Sequence, residues 1–212
     1  MEIKLKLCGM RRREDIGWVN EYRPDYAGFI LSDGFRRSVG FEVFCELADR
    51  LDDNIGCVGV FVNEPLDNIL KYCAKGLDVI QLHGDEEERY IGQLRQAVPE
   101  GCEIWKAVRV RSVADIEKWN RSCADKLLLD AFQEGVVGGT GKIADWKLIT
   151  AAKIEKPFFA AGGINAGNFI EAAKTLRPYG IDLSGGIETG GVKDRDKIAE
   201  IVELRERLAN IK

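Results

Sequence analysis

The chain has 212 residues, 45% of them hydrophobic and 31% charged, a composition ordinary for a soluble globular protein and large enough for one substantial core. Its net charge of −4 comes from acidic and basic residues interleaved along the chain, and its one basic run, Arg11-Arg12-Arg13, meets Glu14-Asp15 at once, which argues against nucleic-acid binding. No stretch approaches the roughly 18 apolar residues of a membrane span, and the opening MEIKLKLCGMRRRED lacks the apolar segment and cleavage site of a secretory signal, so the expectation is a cytoplasmic chain without a membrane role.

In chain order, short runs rich in Val, Ile, Leu and Phe alternate with segments of helical spacing. The predicted strands cover 3–8, 26–31, 56–62, 78–82, 103–108, 126–130, 157–161 and 180–184. The predicted helices cover 13–22, 41–51, 65–75, 86–97, 112–122, 145–152, 166–176 and 194–208. Ser112, Asn165 and Asp194 are placed to cap helix starts, and Pro65 suits an early helical position that needs no amide donor. Eight βα pairs predict an α/β protein with a single (βα)8 TIM barrel over 1–212, because an open doubly wound sheet would show fewer strands and a dinucleotide loop where Cys8-Gly9-Met10 stands. In such barrels the working side chains sit at the carboxyl ends of strands and in the loops that follow.

At the end of the first strand, alternation puts Lys4, Lys6 and Cys8 on one face and Ile3, Leu5 and Leu7 on the other. Cys8 is then directed to the barrel mouth with Lys6 below it as electrostatic support for a thiolate; the alternative is an inert buried cysteine. The other five cysteines (Cys45, Cys57, Cys73, Cys102, Cys123) form no CxxC pair and read as small core hydrophobes, not as a disulfide frame or a zinc site. After strand 2, Arg36 and Arg37 offer paired donors for a carboxylate, unless they are only solvated. His83 shares a face with Gln81 at the end of strand 4 and lines the pocket in one reading, with a structural role as the other.

Strand 6 closes an apolar run on Asp130, and burying an unpaired carboxylate costs several kcal/mol, so the group has either a chemical purpose or a capping one. The following Gly138-Gly139-Thr140-Gly141-Lys142 is no P-loop, since Val136 stands where the first glycine is needed and Ile143 where Ser or Thr is needed; it is instead a glycine loop able to close over a substrate. After strands 7 and 8 come Gly162-Gly163 and Ser184-Gly185-Gly186. Glycines at both strand ends let main-chain amides approach an anion, as in the phosphate sites that barrels build from these two loops.

Taken in order, Lys6-Leu7-Cys8-Gly9, Gly59-Val60-Phe61-Val62-Asn63, Gln81-Leu82-His83-Gly84, Leu129-Asp130 with Gly139-Thr140-Gly141-Lys142, Asp145-Trp146, Gly162-Gly163 and Asp182-Leu183-Ser184 resemble the phosphoribosylanthranilate isomerase family from end to end. The resemblance implies a (βα)8 barrel that uses no metal or organic cofactor, with a small phosphosugar as its substrate. The implied activity is an Amadori rearrangement of N-(5-phosphoribosyl)anthranilate. Carried over by position, the general base falls on Cys8, the general acid on Asp130, and the ligand of the anthranilate carboxylate on Arg37, with Arg36 as the alternative one register away. The phosphate falls to Gly162, Gly163, Gly185 and Gly186, with Ser184 near. Gly34-Phe35-Arg36 and Ser184-Gly185-Gly186 depart from the family's usual Ser-Pro lead and Ser-Ser-Gly end. A related isomerase of histidine biosynthesis would carry aspartate where Cys8 stands, and an aldolase would want a lysine at a strand end, whereas Lys106 lies inside strand 5. A silent phosphate binder would need neither Cys8 nor Asp130, and a cysteine hydrolase would want a helix start behind its nucleophile. The sequence leaves monomer and homodimer both open.

Overall fold

A computed structural model of the chain describes residues 2–130 and 146–210. Eight strands, β1 (Lys4–Cys8), β2 (Tyr26–Ile30), β3 (Gly56–Phe61), β4 (Val79–Leu82), β5 (Glu103–Arg109), β6 (Lys126–Asp130), β7 (Phe158–Ala161) and β8 (Gly180–Leu183), pair in sequence order and close into a parallel barrel. Helices α1 (Arg13–Tyr22), α2 (Phe41–Ala48), α3 (Leu66–Cys73), α4 (Glu88–Ala97), α5 (Val113–Glu117), α6 (Trp146–Ala151), α7 (Phe169–Leu176) and α8 (Arg195–Ala209) follow the strands one by one. Each of the eight predicted pairs is therefore present, with ends that move by a few residues and a fifth helix much shorter than 112–122.

Strands covered on both faces explain the near-continuous apolar runs. Outward residues such as Leu5, Leu7, Leu127, Leu129, Ile181 and Leu183 join the large core beneath the helices. Inward residues Val58, Val79, Trp105, Ala107, Leu128, Phe159 and Ala161 form a second cluster within the barrel. Its floor is aromatic: Trp105 and Phe159 stack with ring centroids 4.5 Å apart, and the edge of Tyr26 meets Trp105 at 4.9 Å. Gly180 makes room for this floor, since a Cβ there would lie 2.3 Å from the Phe159 ring. The plug closes one end, so any ligand must enter at the carboxyl ends of the strands.

Ser112 and Asp194 cap their helices through side-chain oxygens that accept from Asp115 and from Asp196 and Lys197. Pro65 stands just before the first residue of α3. Asn165 is not the cap of the seventh helix, which begins at Phe169 after Asn168. Its side chain instead accepts from the Gly167 amide at 2.9 Å, so the asparagine shapes a turn one step earlier. Two elements had no counterpart among the predicted ones: a single 3-10 turn at Gly185–Ile187, and a hairpin of β9 (Glu188–Thr189) with β10 (Val192–Lys193). Both lie in the loop after β8.

Candidate active site

Cys8 ends β1 on the inner face, 6% exposed, with Lys6 below it fully buried. The Lys6 Nζ donates to Asp182 Oδ1 at 2.7 Å across the β1–β8 pair, in which these two residues are in register. Burial opposes the Lys6 charge, but Asp182 and the Cys8 sulfur outweigh it and raise its pKa. For Cys8 the balance falls the other way: burial pushes the thiol up, and the pull of Lys6 toward the thiolate is the smaller effect. The support expected from Lys6 thus exists but is shared with Asp182. Gly28 faces Cys8 from β2, where a Cβ would lie 2.8 Å from the sulfur and 3.2 Å from the Lys6 Nζ; only glycine leaves room for both.

Asp130 ends β6 on the same inner surface, three strands from β1 around the barrel. Its Oδ2 lies 3.9 Å from Nε2 of His83, and both side chains are 27% exposed. The Gln81 Nε2 meets His83 Nδ1 at 2.8 Å, while the Gln81 Oε1 is buried without a partner among the described residues. Gly138–Lys142 and Asp145 lie outside the described residues.

The two glycine loops meet backbone to backbone. A Cβ on Gly186 would fall 2.0 Å from the carbonyl oxygen of Ile164, so the β8 loop can press against the β7 loop only without a side chain there. Gly162 and Gly163 both take positive φ, at 88° and 68°, which turns the chain sharply as it leaves β7. Among the described residues, the amides of Gly163, Gly185 and Gly186 have no acceptor. The result is a set of donors suited to an anion. Ser184 donates its hydroxyl to the Cys8 carbonyl at 3.0 Å, tying the cradle to the end of β1.

Beside the cradle, three cations converge on Glu188. Arg37 grips its carboxylate with Nε at 2.5 Å and Nη2 at 2.9 Å, Arg36 adds Nη2 at 2.7 Å, and Lys193 adds Nζ at 2.8 Å. Neither Glu188 nor Lys193 was singled out by sequence reasoning. Glu188 comes two residues after the glycine loop and Lys193 sits across a hairpin from it, and neither has a local pattern that announces a buried charge. Burial opposes ionisation of Glu188, but Arg37, Lys193 and Arg36 outweigh it and hold its carboxyl well below the usual range. Between its folded and unfolded values the unfolded chain binds more protons, so this stabilisation is complete above about pH 4.5 and fades as acid approaches the folded value. Glu188→Gln should therefore lose roughly 1–3 kcal/mol at pH 7 and show a shallower fall in urea midpoint from pH 5 to pH 3. Equal slopes for variant and parent would mean that Glu188 is not the linked group.

Lys106 lies outside this mouth. It turns outward from β5 to pair with buried Glu86 at 2.8 Å, and burial lowers its pKa. Arg109, the last residue of β5, is in register with Asp130 and exposed, and its side chain has no partner among the described residues. Of the five cysteines expected in the core, Cys57, Cys73 and Cys102 are buried. Cys45 is only half-buried and Cys123 is exposed, because α2 shows Cys45 partly to solvent and Cys123 falls in the loop ahead of β6.

The chain is similar to known proteins along nearly its whole length. The family model for N-(5'phosphoribosyl)anthranilate (PRA) isomerase matches residues 5–204. An N-(5'-phosphoribosyl)anthranilate isomerase of Endomicrobium trichonymphae is 45% identical over 202 residues, 95% of this chain and 97% of the relative. The crystal structure of phosphoribosyl anthranilate isomerase from Thermotoga maritima superposes with a TM-score of 0.86 at 28% identity, covering 97% of this chain and 99% of that one. A structure of the same kind of enzyme in complex with reduced 1-(o-carboxyphenylamino)-1-deoxyribulose 5-phosphate superposes with a TM-score of 0.81 at 27% identity, covering 97% and 99%.

Proposed function

Because the chain belongs to the N-(5'-phosphoribosyl)anthranilate isomerase family, and so is an isomerase of tryptophan biosynthesis, we propose that Cys8 and Asp130 are the base and acid of its Amadori rearrangement. The carrying observation is that these two inward-facing side chains end strands on different sides of one mouth, beside a rim of amides that have no acceptor among the described residues. Asp130 gives its proton to the ribose ring oxygen as the bond from that oxygen to the anomeric carbon breaks, and the aniline nitrogen's lone pair forms the C=N bond. The Cys8 thiolate then takes the proton from the neighbouring carbon, and that C–H electron pair neutralises the iminium to an enolamine, which tautomerises to the ketone. Acid and base act on different atoms of the sugar, which is why they belong on separate strands.

The substrate's phosphate is assigned to Gly162, Gly163, Gly185 and Gly186, with Ser184 holding the cradle against β1. Its carboxylate is assigned to Arg37, whose Nη1 has no acceptor among the described residues while Glu188 fixes the rest of the guanidinium. Arg37→Ala should raise KM by about 10–100-fold and leave kcat within a few-fold, since one hydrogen bond to a charged group is worth roughly 1.5–3 kcal/mol. An unchanged KM would transfer the role to Arg36. His83 completes the wall of the mouth. We take the protein to act on this small phosphosugar without nucleic acid, as a monomer or homodimer in the cytoplasm; among the described residues no helix is long and apolar enough to cross a membrane. The activity itself is tested by generating phosphoribosyl anthranilate in situ and following loss of its fluorescence, together with growth rescue of a tryptophan auxotroph that lacks this step. Steady fluorescence and no growth would overturn the reading.

A further inference from the structure

The inner face of β4 carries Val79, Gln81 and then His83 just beyond the strand end, so one strand presents an amide and an imidazole in line toward the mouth. Gln81 is 1% exposed and spends its Nε2 on His83 Nδ1 at 2.8 Å. Its Oε1 has no partner among the described residues, and a buried amide with an unmet oxygen costs roughly 1–3 kcal/mol that a leucine of similar size would not. That cost needs a return, and the contact with His83 supplies one. With the Gln81 Nε2–H as donor, Nδ1 accepts through its lone pair, which places the ring proton of the neutral imidazole on Nε2. Nε2 is the atom 3.9 Å from Asp130 Oδ2.

We propose that Gln81 is a positioning residue that holds His83 in its Nε2–H form, so that the imidazole donates a hydrogen bond to the Asp130 carboxylate created when the substrate's ring oxygen takes the carboxyl proton. This rests on Asp130 being the acid. No proton moves from His83: the O–H bond of Asp130 breaks, the ring oxygen gains the proton, and the negative charge left on the carboxylate draws the waiting N–H. At 3.9 Å the two groups are beyond hydrogen-bond distance before reaction, so the bond strengthens as charge develops. An interaction gained only on the way to the transition state raises kcat and leaves substrate affinity alone. Among the described residues, Lys106 is turned away to Glu86, and Arg109, in register with Asp130 on the neighbouring strand, is exposed and has no partner there, so neither is held against the Asp130 carboxyl.

Because His83 is the only histidine in the chain, its ring nitrogens can be read without assignment ambiguity in a long-range proton–nitrogen spectrum of uniformly 15N-labelled full-length protein. At a pH where the ring is neutral, Nδ1 should show the shift of an unprotonated nitrogen and Nε2 that of a protonated one; the reverse pattern overturns the proposal without any substrate being present. Kinetically, Gln81→Leu should lower kcat by about 10-fold with KM within about 2-fold, the worth of one charge-assisted hydrogen bond. Gln81→Glu, similar in shape but able only to accept at Nδ1, should reverse the nitrogen pattern and lower kcat at least as far; Gln81→Met serves if leucine impairs folding. In a His83→Ala background Gln81→Leu should cost nothing further. A full 10-fold loss there, or a rise in KM with kcat unchanged, sinks the proposal while turnover by the parent protein keeps the isomerase reading intact. A parent protein without turnover sinks that reading instead and leaves the nitrogen spectrum to speak for the Gln81–His83 pair.

Discussion

Cys8→Ala should lower kcat by roughly 10²–10⁴-fold, the range expected for losing a positioned base, while the thermal unfolding midpoint stays within a few degrees. The variant deletes one sulfur from a crowded site, and alanine keeps the β1 backbone and the bond its carbonyl accepts from Ser184. Activity falls because neither Lys6 nor Lys193 can replace the thiolate. Lys6 is committed to Asp182, and the Lys193 Nζ is held by Glu188 and the Ser184 carbonyl. The base works as a thiolate, and burial raises its pKa in the free enzyme. In the parent, kcat/KM should therefore keep rising with pH beyond the roughly 8.5 of an ordinary thiol, and that rise should be absent from Cys8→Ala. A variant that turns over at close to the parent rate would remove Cys8 from the mechanism.

The barrel was legible because its two kinds of core leave two kinds of trace in the sequence. Leu5 and Leu7 under the helices and Cys8 above Lys6 alternate with period two, and the same parity carries Asp130 and His83 to the mouth. The glycine pairs were legible for a similar reason, since Gly186 has to lie against Ile164 and the sequence shows glycine at that strand end. What stayed hidden was partnership across long separations. Arg36 and Arg37 could be read as carboxylate donors, but the carboxylate they hold belongs to the chain itself, about 150 positions away on Glu188. Nothing near Gln81 signals that its amide will be buried against an imidazole. Lys106 shares its parity in strand 5 with the outward Ile104 and Val108, but that Glu86, 20 positions earlier, pairs with it there was not readable. The cap misplaced to Asn165 is a local error: Asn165 and Asn168 both suit a helix start and both donate their side-chain amides to the Gly163 carbonyl, at 3.2 and 3.1 Å, but the Asn165 oxygen is taken by the Gly167 amide and the helix begins only after Asn168.

Asp130→Asn should depress kcat as severely as loss of the base, by roughly 10²–10⁴-fold, because an amide of the same shape can still accept and donate hydrogen bonds but cannot hand over an acidic proton. Ring opening is the step that suffers, since without a proton the departing oxygen must leave as an alkoxide. The β6 backbone is unaffected, as the Asp130 carbonyl still accepts from the Val110 amide at 3.0 Å, so folding should persist. Substrate binding should change little, because phosphate and carboxylate are held by other loops, and the loss should fall on kcat far more than on KM. The variant also separates Asp130 from His83: if the imidazole were the acid, Asp130→Asn would slow turnover only a few-fold and His83→Ala would abolish it. Single-turnover mixing of enzyme with the substrate made in situ reads the chemical step directly. A variant that opens the ring at the parent rate would leave the carboxyl group without a catalytic role and move the acid to another group at the mouth.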